Sequence, residues 1–260
     1  MLVVFVVPLG AIVYRAFDDP ANFSAALESG VFRRSVWTTV RMSLIVTVVC
    51  VILSYPYAYA LARSGPGFSA FLLIALMVSF WTSTLVRTYS WKILLNNTGV
   101  INKTLISMGI IDEPIRMIGT DFAVGLGVAH VLAPYTILTI YTQIRAVGPE
   151  LEEAAQVAGA RPTVVFWRLI MPMSVPGMAA GAILVFVMAL GFYITPAILG
   201  SAEDVYIGTA IVQQVQVFLK TGVGAAQSLL LLAIVLLTLG VASRFVSFGK
   251  LLGLAKGGVT

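Results

Sequence analysis

The chain holds a single cysteine, Cys50, and a single histidine, His130. One thiol permits no intrachain disulfide and no cysteine-based metal site. One imidazole leaves too few ligands for a zinc or haem centre without help from carboxylates. Charge is scarce too: Asp, Glu, Lys and Arg make up 10% of the 260 residues, where a soluble domain carries about 25%. No G-x4-G-K-[ST] run occurs, so the chain cannot cradle ATP phosphates itself. No nucleophile–base–acid constellation stands out. Asp121 and His130, nine residues apart, lie about 13 Å apart along a helix and cannot form a dyad.

What is abundant is apolar surface, 59% of residues, with a mean hydropathy of +0.99. A soluble fold of this size cannot hide that much, so the solvent must be largely lipid. A cytosolic enzyme, a secreted disulfide scaffold and a disordered chain are all excluded. The net charge of +5 fits contact with membrane lipid headgroups. Its scattered basic residues give no patch for nucleic acid.

A bilayer core of about 30 Å needs roughly 20 apolar residues per helix. Six runs are candidates: 1–14, 35–62, 68–86, 122–144, 177–199 and 225–246. The expected fold is therefore all-α and polytopic, one transmembrane domain over 1–260 with six spans. The first run is short for a span. A signal-peptide core is the other reading, against which stand the missing basic n-region and A-x-A site. The unbroken runs exclude a lipid-facing barrel, whose strands would alternate in polarity. Arg63-Ser64-Gly65-Pro66-Gly67 is a tight turn, making spans two and three antiparallel neighbours. Residues 87–121 should hold short interfacial helices, with a turn at Asn96-Asn97-Thr98-Gly99. Lys and Arg divide almost evenly between the two sides, Lys250 and Lys256 of the tail included, so charge alone leaves orientation open.

The most distinctive segment lies in the 145–176 loop. Pro149 suits the first position of a helix, and Glu150, Glu152 and Glu153 favour its N-terminal turn. Leu151, Ala154, Ala155 and Ala158 give it an apolar side. Gly159 is a stop that tolerates left-handed dihedrals, and Pro162 prevents continuation. Helix then resumes over 164–170 until Pro172. A plain interfacial linker is one reading; a docking element is the other.

Several residues carry two readings each. Pro56 and Pro134 bend their spans, either as packing kinks or as hinges beside a path. His130, mid-span, should face the bundle interior, as a structural hydrogen-bonding group or lining a path. Trp81, Tyr89, Trp91 and Arg87 form either an aromatic belt with a snorkelling arginine or a mouth that meets a cationic solute. Candidate path residues are Trp81, Tyr89, His130, Pro134, Tyr135 and Tyr193. Gly177 and Gly181 form a G-x-x-x-G step for close helix packing, within the chain or across a dimer.

The spacing Glu153-Ala154-Ala155, three residues, Gly159, nine residues, Leu169, one residue, Met171-Pro172 resembles the E-A-A-x3-G-x9-I-x-L-P signature. That signature marks permease subunits of binding-protein-dependent ABC importers. Leu169 and Met171 replace Ile and Leu. Trp81-Thr82-Ser83-Thr84, Gly99-Val100-Ile101-Asn102 and Gly191-Phe192-Tyr193-Ile194-Thr195-Pro196 are similar to the PotB-type spermidine/putrescine permeases. The departure is the first span, shortened at its start.

The resemblance implies a MetI-like permease core that is not itself an enzyme. Residues 145–176 would be a cytoplasmic coupling loop in a multi-pass protein of the bacterial inner membrane, with both termini cytoplasmic. Glu153, Ala154, Ala155, Gly159, Leu169, Met171 and Pro172 would couple it to the ATPase. No cofactor is implied in this chain, since ATP and magnesium sit on the partner. The implied partners are cytosolic ATP-binding subunits, a second homologous permease and a periplasmic solute-binding protein. The implied solute is a small cation, foremost a polyamine; related permeases carry ferric iron, phosphonates or opines. The rival class is a stand-alone secondary transporter, against which stand the uncharged span centres.

Overall fold

The computed structural model describes residues 2–201 and 205–245, and all regular structure among them is helical. The order is α1 Leu2–Phe17, α2 Ala21–Glu28, α3 Gly30–Arg63, α4 Pro66–Trp81, α5 Thr84–Leu94, α6 Val100–Ser107, α7 Asp121–Ala146 and α8 Pro149–Val157. There follow α9 Pro162–Val165, a π-helical turn Phe166–Ile170, α10 Met171–Leu190, α11 Ile194–Leu199, α12 Ile207–Val212, a second π-helical turn Gln213–Val217 and α13 Thr221–Phe245. The tail with Lys250 and Lys256 lies outside the described residues.

Among the described residues, the expected six spans resolve into four helices long and apolar enough to cross a membrane: Gly30–Arg63, Asp121–Ala146, Pro162–Leu190 and Thr221–Ala242. A fifth arises if α4 and α5, bent by 98°, count as one. The first run yields only the shorter apolar helix Val6–Phe17. The third span does not continue to residue 86. Thr82 and Ser83 both adopt extended ψ values, 132° and 137°, and the Thr82 hydroxyl donates to the Val78 carbonyl at 2.7 Å, closing α4. The fifth span begins at Pro162, not Gly177, and helix runs through Pro172 and Pro176. A π-helical turn ends just before Pro172, where Met171 N–H reaches back to Phe166 O. The widened ladder falls where a proline would otherwise clash with the preceding turn.

That span also stops early, at Leu190, and restarts at Ile194. Pro196 has no N–H to offer Phe192. In the first turn of a new helix that N–H is not needed.

The chain divides into two compact units. One comprises Met1–Ile45, Ser83–Val128 and Val187–Thr238. Its small residues Ala16, Ala26, Ala225 and Ala226 are buried together, with Phe23 and Leu229 against them. Asn102, fully buried, clamps the loop after α6: it donates to the Asn96 and Ile115 carbonyls and accepts from Ile115 N–H at 2.9 Å. The stretch 87–121, expected to hold short helices, contains most of α5 and all of α6.

The other unit comprises Val46–Thr82, Ala129–Phe186 and Leu239–Thr260. Its core holds Ala58, Leu61, Leu76, Ile140, Ile144 and Ile170. The G-x-x-x-G step is used inside the chain. A Cβ at Gly177 would lie 2.7 Å from the Thr139 carbonyl, and one at Gly181 would lie 2.5 Å from the Thr139 hydroxyl. Only hydrogen at both positions lets α10 close on α7.

Candidate functional site

The helix α8 is built as its sequence implies. Pro149 opens it, and Gly159, at φ +90°, ends it. Gly159 N–H donates to Gln156 O at 2.9 Å and Ala160 N–H to Ala155 O at 3.0 Å. These are the paired bonds of a Schellman motif. Ala155 and Ala160, brought together by those bonds, pack against the core that holds Ile144, Val165 and Ile170. Leu169 joins the same cluster.

The signature residues thus fall into two groups. Ala155, Leu169 and half-buried Met171 face the chain's own interior, whereas Glu153, Ala154, Gly159 and Pro172 are exposed. The expected apolar side of α8 is only partly sealed: Leu151, Ala154 and Ala158 are exposed, and Val157 is 90% exposed. No residue of α8 is buried.

What holds α8 in place is an ion pair that no local spacing announced. Arg63, at the end of α3, pairs with Glu152 and also donates to the Ile144 carbonyl at 3.2 Å. Their side chains are only 15% and 14% exposed. Glu152 sits next to the signature glutamate, and its pairing leaves Glu150 and Glu153 as the outward charges. Beside α8, the Phe166 ring meets Tyr55, Tyr59 and Trp167 edge-on at 5.9, 5.2 and 5.2 Å. Tyr55 and Ser174 share a hydroxyl hydrogen bond of 3.0 Å.

The six candidate path residues are divided between the two units. In the second unit, Trp81 is 86% exposed, Pro134 is buried and Tyr135 packs on Phe80 with ring centroids 5.3 Å apart. His130 is exposed rather than turned inward. On a helical period, Val124, Val128, Val131 and Leu132 form the buried face of α7, and residue 130 points the other way. In the first unit, Tyr89 is exposed with Lys92 over its ring, 5.8 Å from the centroid. Arg87 does not snorkel: it is buried.

Tyr193, also in the first unit, lines a cavity of about 330 Å³. Opposite it stand Thr209, Val212 and Gln213. Nearby, Asp121 pairs with Arg41 and accepts from the Tyr206 hydroxyl at 3.1 Å, and the Thr39 hydroxyl accepts from Ile207 N–H at 2.9 Å. The sequence reading missed this anchor of α12, because its members are separated by 80 residues or more.

Residues 32–247 match the family described as binding-protein-dependent transport system inner membrane component. The spermidine/putrescine transport system permease protein PotB of Haemophilus influenzae is 33% identical over 216 residues, which is 83% of this chain and 76% of that protein. PotB of Escherichia coli is 35% identical over 218 residues, 84% and 76% of the two chains. In fold, the chain is similar to a chain of a bacterial ABC transporter involved in the import of alginate. The TM-score is 0.73 at 18% identity, with 93% of this chain and 91% of that one covered.

Proposed function

The chain belongs to the family of binding-protein-dependent transport system inner membrane components, and from that premise we propose that it forms half of the translocation pore of an ATP-driven polyamine importer. It is a multi-pass membrane transport subunit. The solute reading rests on the PotB relatives, which are named for spermidine and putrescine.

The observation that carries the coupling role is the form of α8. A nine-residue helix is closed by a left-handed glycine, held from below by Arg63–Glu152, and presents Leu151, Ala154, Val157 and Ala158 outward beside Glu153. A rigid helix with an uncovered apolar stripe and an acidic rim suits the groove of a cytosolic ATP-binding subunit. ATP and magnesium belong to that subunit. The fold continues from the elbow at 158–161 straight into the 29-residue helix Pro162–Leu190, so displacement of α8 acts on a long lever.

In this reading residues 145–176 and both termini are cytoplasmic. A second homologous permease completes the pore, lipid surrounds the pair, and a periplasmic binding protein delivers the solute. The two bundles rock as the ATPases close.

The test is uptake by the reconstituted complex. Radiolabelled spermidine or putrescine should enter only with ATP, each competing with the other, and collapse of proton and sodium gradients should leave the rate unchanged while ATP is maintained. Uptake that follows an ion gradient after ATP depletion would move the chain to the secondary transporters.

A further inference from the structure

We infer that the cavity between Tyr193 and Gln213 is the subsite in this chain for an aliphatic ammonium group of the solute. The inference rests on the polyamine reading and names where, in this chain, that chemistry is met.

Both walls of the cavity are breaks in regular backbone. On one side the helix stops at Leu190 and restarts at Ile194, leaving Tyr193 at φ −124°, ψ −34° before α11. On the other, α12 passes into a π-helical turn beginning at Gln213, followed by Leu219 at φ +56°. In so apolar a chain, irregular backbone is tolerated only where protein buries it or where it lines a cavity.

The frame around the cavity is fixed from three directions. The Thr88 and Thr195 hydroxyls bond at 3.1 Å and tie α11 to α5. A Cβ at Gly208 would lie 2.7 Å from the Tyr193 Cβ, so only glycine lets α12 press against the tyrosine and set its ring. The Thr209 hydroxyl accepts from Tyr206 N–H at 3.0 Å and donates to the Tyr206 carbonyl at 2.7 Å, so it serves the start of α12 rather than a ligand. Among the described residues the Tyr193 hydroxyl and the Gln213 amide make no hydrogen bond, and both are exposed at the cavity.

The remaining surface decides the ligand. Pro196, Val205 and Val212 supply apolar contact for a methylene chain. The Tyr193 ring face attracts a cation, and the phenol and amide oxygens accept from the three N–H donors of an ammonium group. No Lys or Arg lies among the lining residues to hold an anion.

The experiment uses the whole complex with its binding protein and measures spermidine import per ATP hydrolysed. Gln213→Lys should lower that ratio about tenfold, and Tyr193→Leu about fivefold, the scale of a cation–π contact at an exposed ring. Tyr193→Phe, which keeps the ring, and Gln213→Glu, which keeps an acceptor of favourable sign, should retain it. A packing role alone would make Lys and Glu equally harmful at residue 213. If the two charge variants behave alike, or Tyr193→Leu matches the wild type, the inference is overturned while the polyamine reading stands. If the wild-type complex imports no polyamine at all, the solute reading fails and takes this inference with it.

Discussion

Gly159 offers the sharpest perturbation, because its cost can be assigned to a single cause. A Cβ built there meets nothing within 4 Å, yet φ is +90°. Any penalty on substitution is therefore conformational and not steric. A left-handed residue with a side chain costs about 1–2 kcal/mol, which shifts the ratio of closed to open turn by about 5–30-fold. The turn loses its bonds from Gly159 to Gln156 and from Ala160 to Ala155, and with them the contact of Ala155 and Ala160 on the core. The residue series should rank accordingly. Gly159→Asn keeps most function, since Asn visits this region at low cost. Gly159→Ala is intermediate, and Gly159→Val, β-branched, is worst. The assay is solute-stimulated ATP hydrolysis and co-purification of the ATPase from membranes in which the permease pair has assembled normally. Glu153→Lys, which leaves the turn intact and reverses an exposed charge, should lose ATPase association without altering assembly. Leu237→Ala, exposed on α13, should lose neither. If Gly159→Val and Glu153→Lys both support wild-type coupling, α8 is only a linker and the docking argument is wrong.

Arg63→Ala and Glu152→Ala should each destabilise the solubilised chain by about 3 kcal/mol, because truncating one partner strands the other charge with little water. The double variant should cost clearly less than the sum; additive losses in chemical denaturation would mean the pair contributes nothing. Gly177→Ala should cost about 1–3 kcal/mol by overpacking against Thr139. Gly67→Ala, with open space around its Cβ, should instead be neutral or stabilise α4 by up to about 1 kcal/mol; equal melting shifts for the two would contradict the close α10–α7 contact. With Cys50→Ala as background, a thiol introduced by Gln156→Cys should be shielded from membrane-impermeant reagents applied to intact cells. Labelling from outside would reverse the proposed orientation.

Local chemistry was legible from the residues, and chemistry that depends on distant partners was not. Pro149 and Gly159 set the ends of α8 through their own dihedral preferences, and the structure puts both where spacing implied. The apolar runs likewise became helices, because burial or lipid suits them wherever they pack. The breaks misled. Pro172 reads as a stop, yet the π-helical turn before it absorbs the mismatch and the helix runs on. Thr82 reads as an ordinary polar residue in a span, but its hydroxyl takes the Val78 carbonyl and the chain turns. Arg63 and Glu152 are 89 residues apart, and nothing in either neighbourhood marks them as partners. His130 misled for a related reason: polarity alone argued for the interior, whereas the helical phase of its neighbours decides which way it points.

The arrangement of α8 also explains why the signature has its spacing. A Schellman closure needs the residue that accepts the long bond to precede the left-handed residue by four positions. Ala155 and Gly159 stand at that separation, with the bond received from Ala160. Ala155 must be small because the same closure folds Ala160 back beside it, and both then rest on Ile144 and Ile170. Leu169 returns to that cluster from the next helix, which fixes the length of the intervening elbow. Ala155, Gly159 and Leu169 therefore specify a bend rather than a contact surface. The surface offered outward adds Leu151 and Val157, which the signature does not name, to the exposed Glu153 and Ala154. Under the proposed coupling role, such a division would let the docking stripe vary with the ATPase it meets while the elbow keeps one geometry.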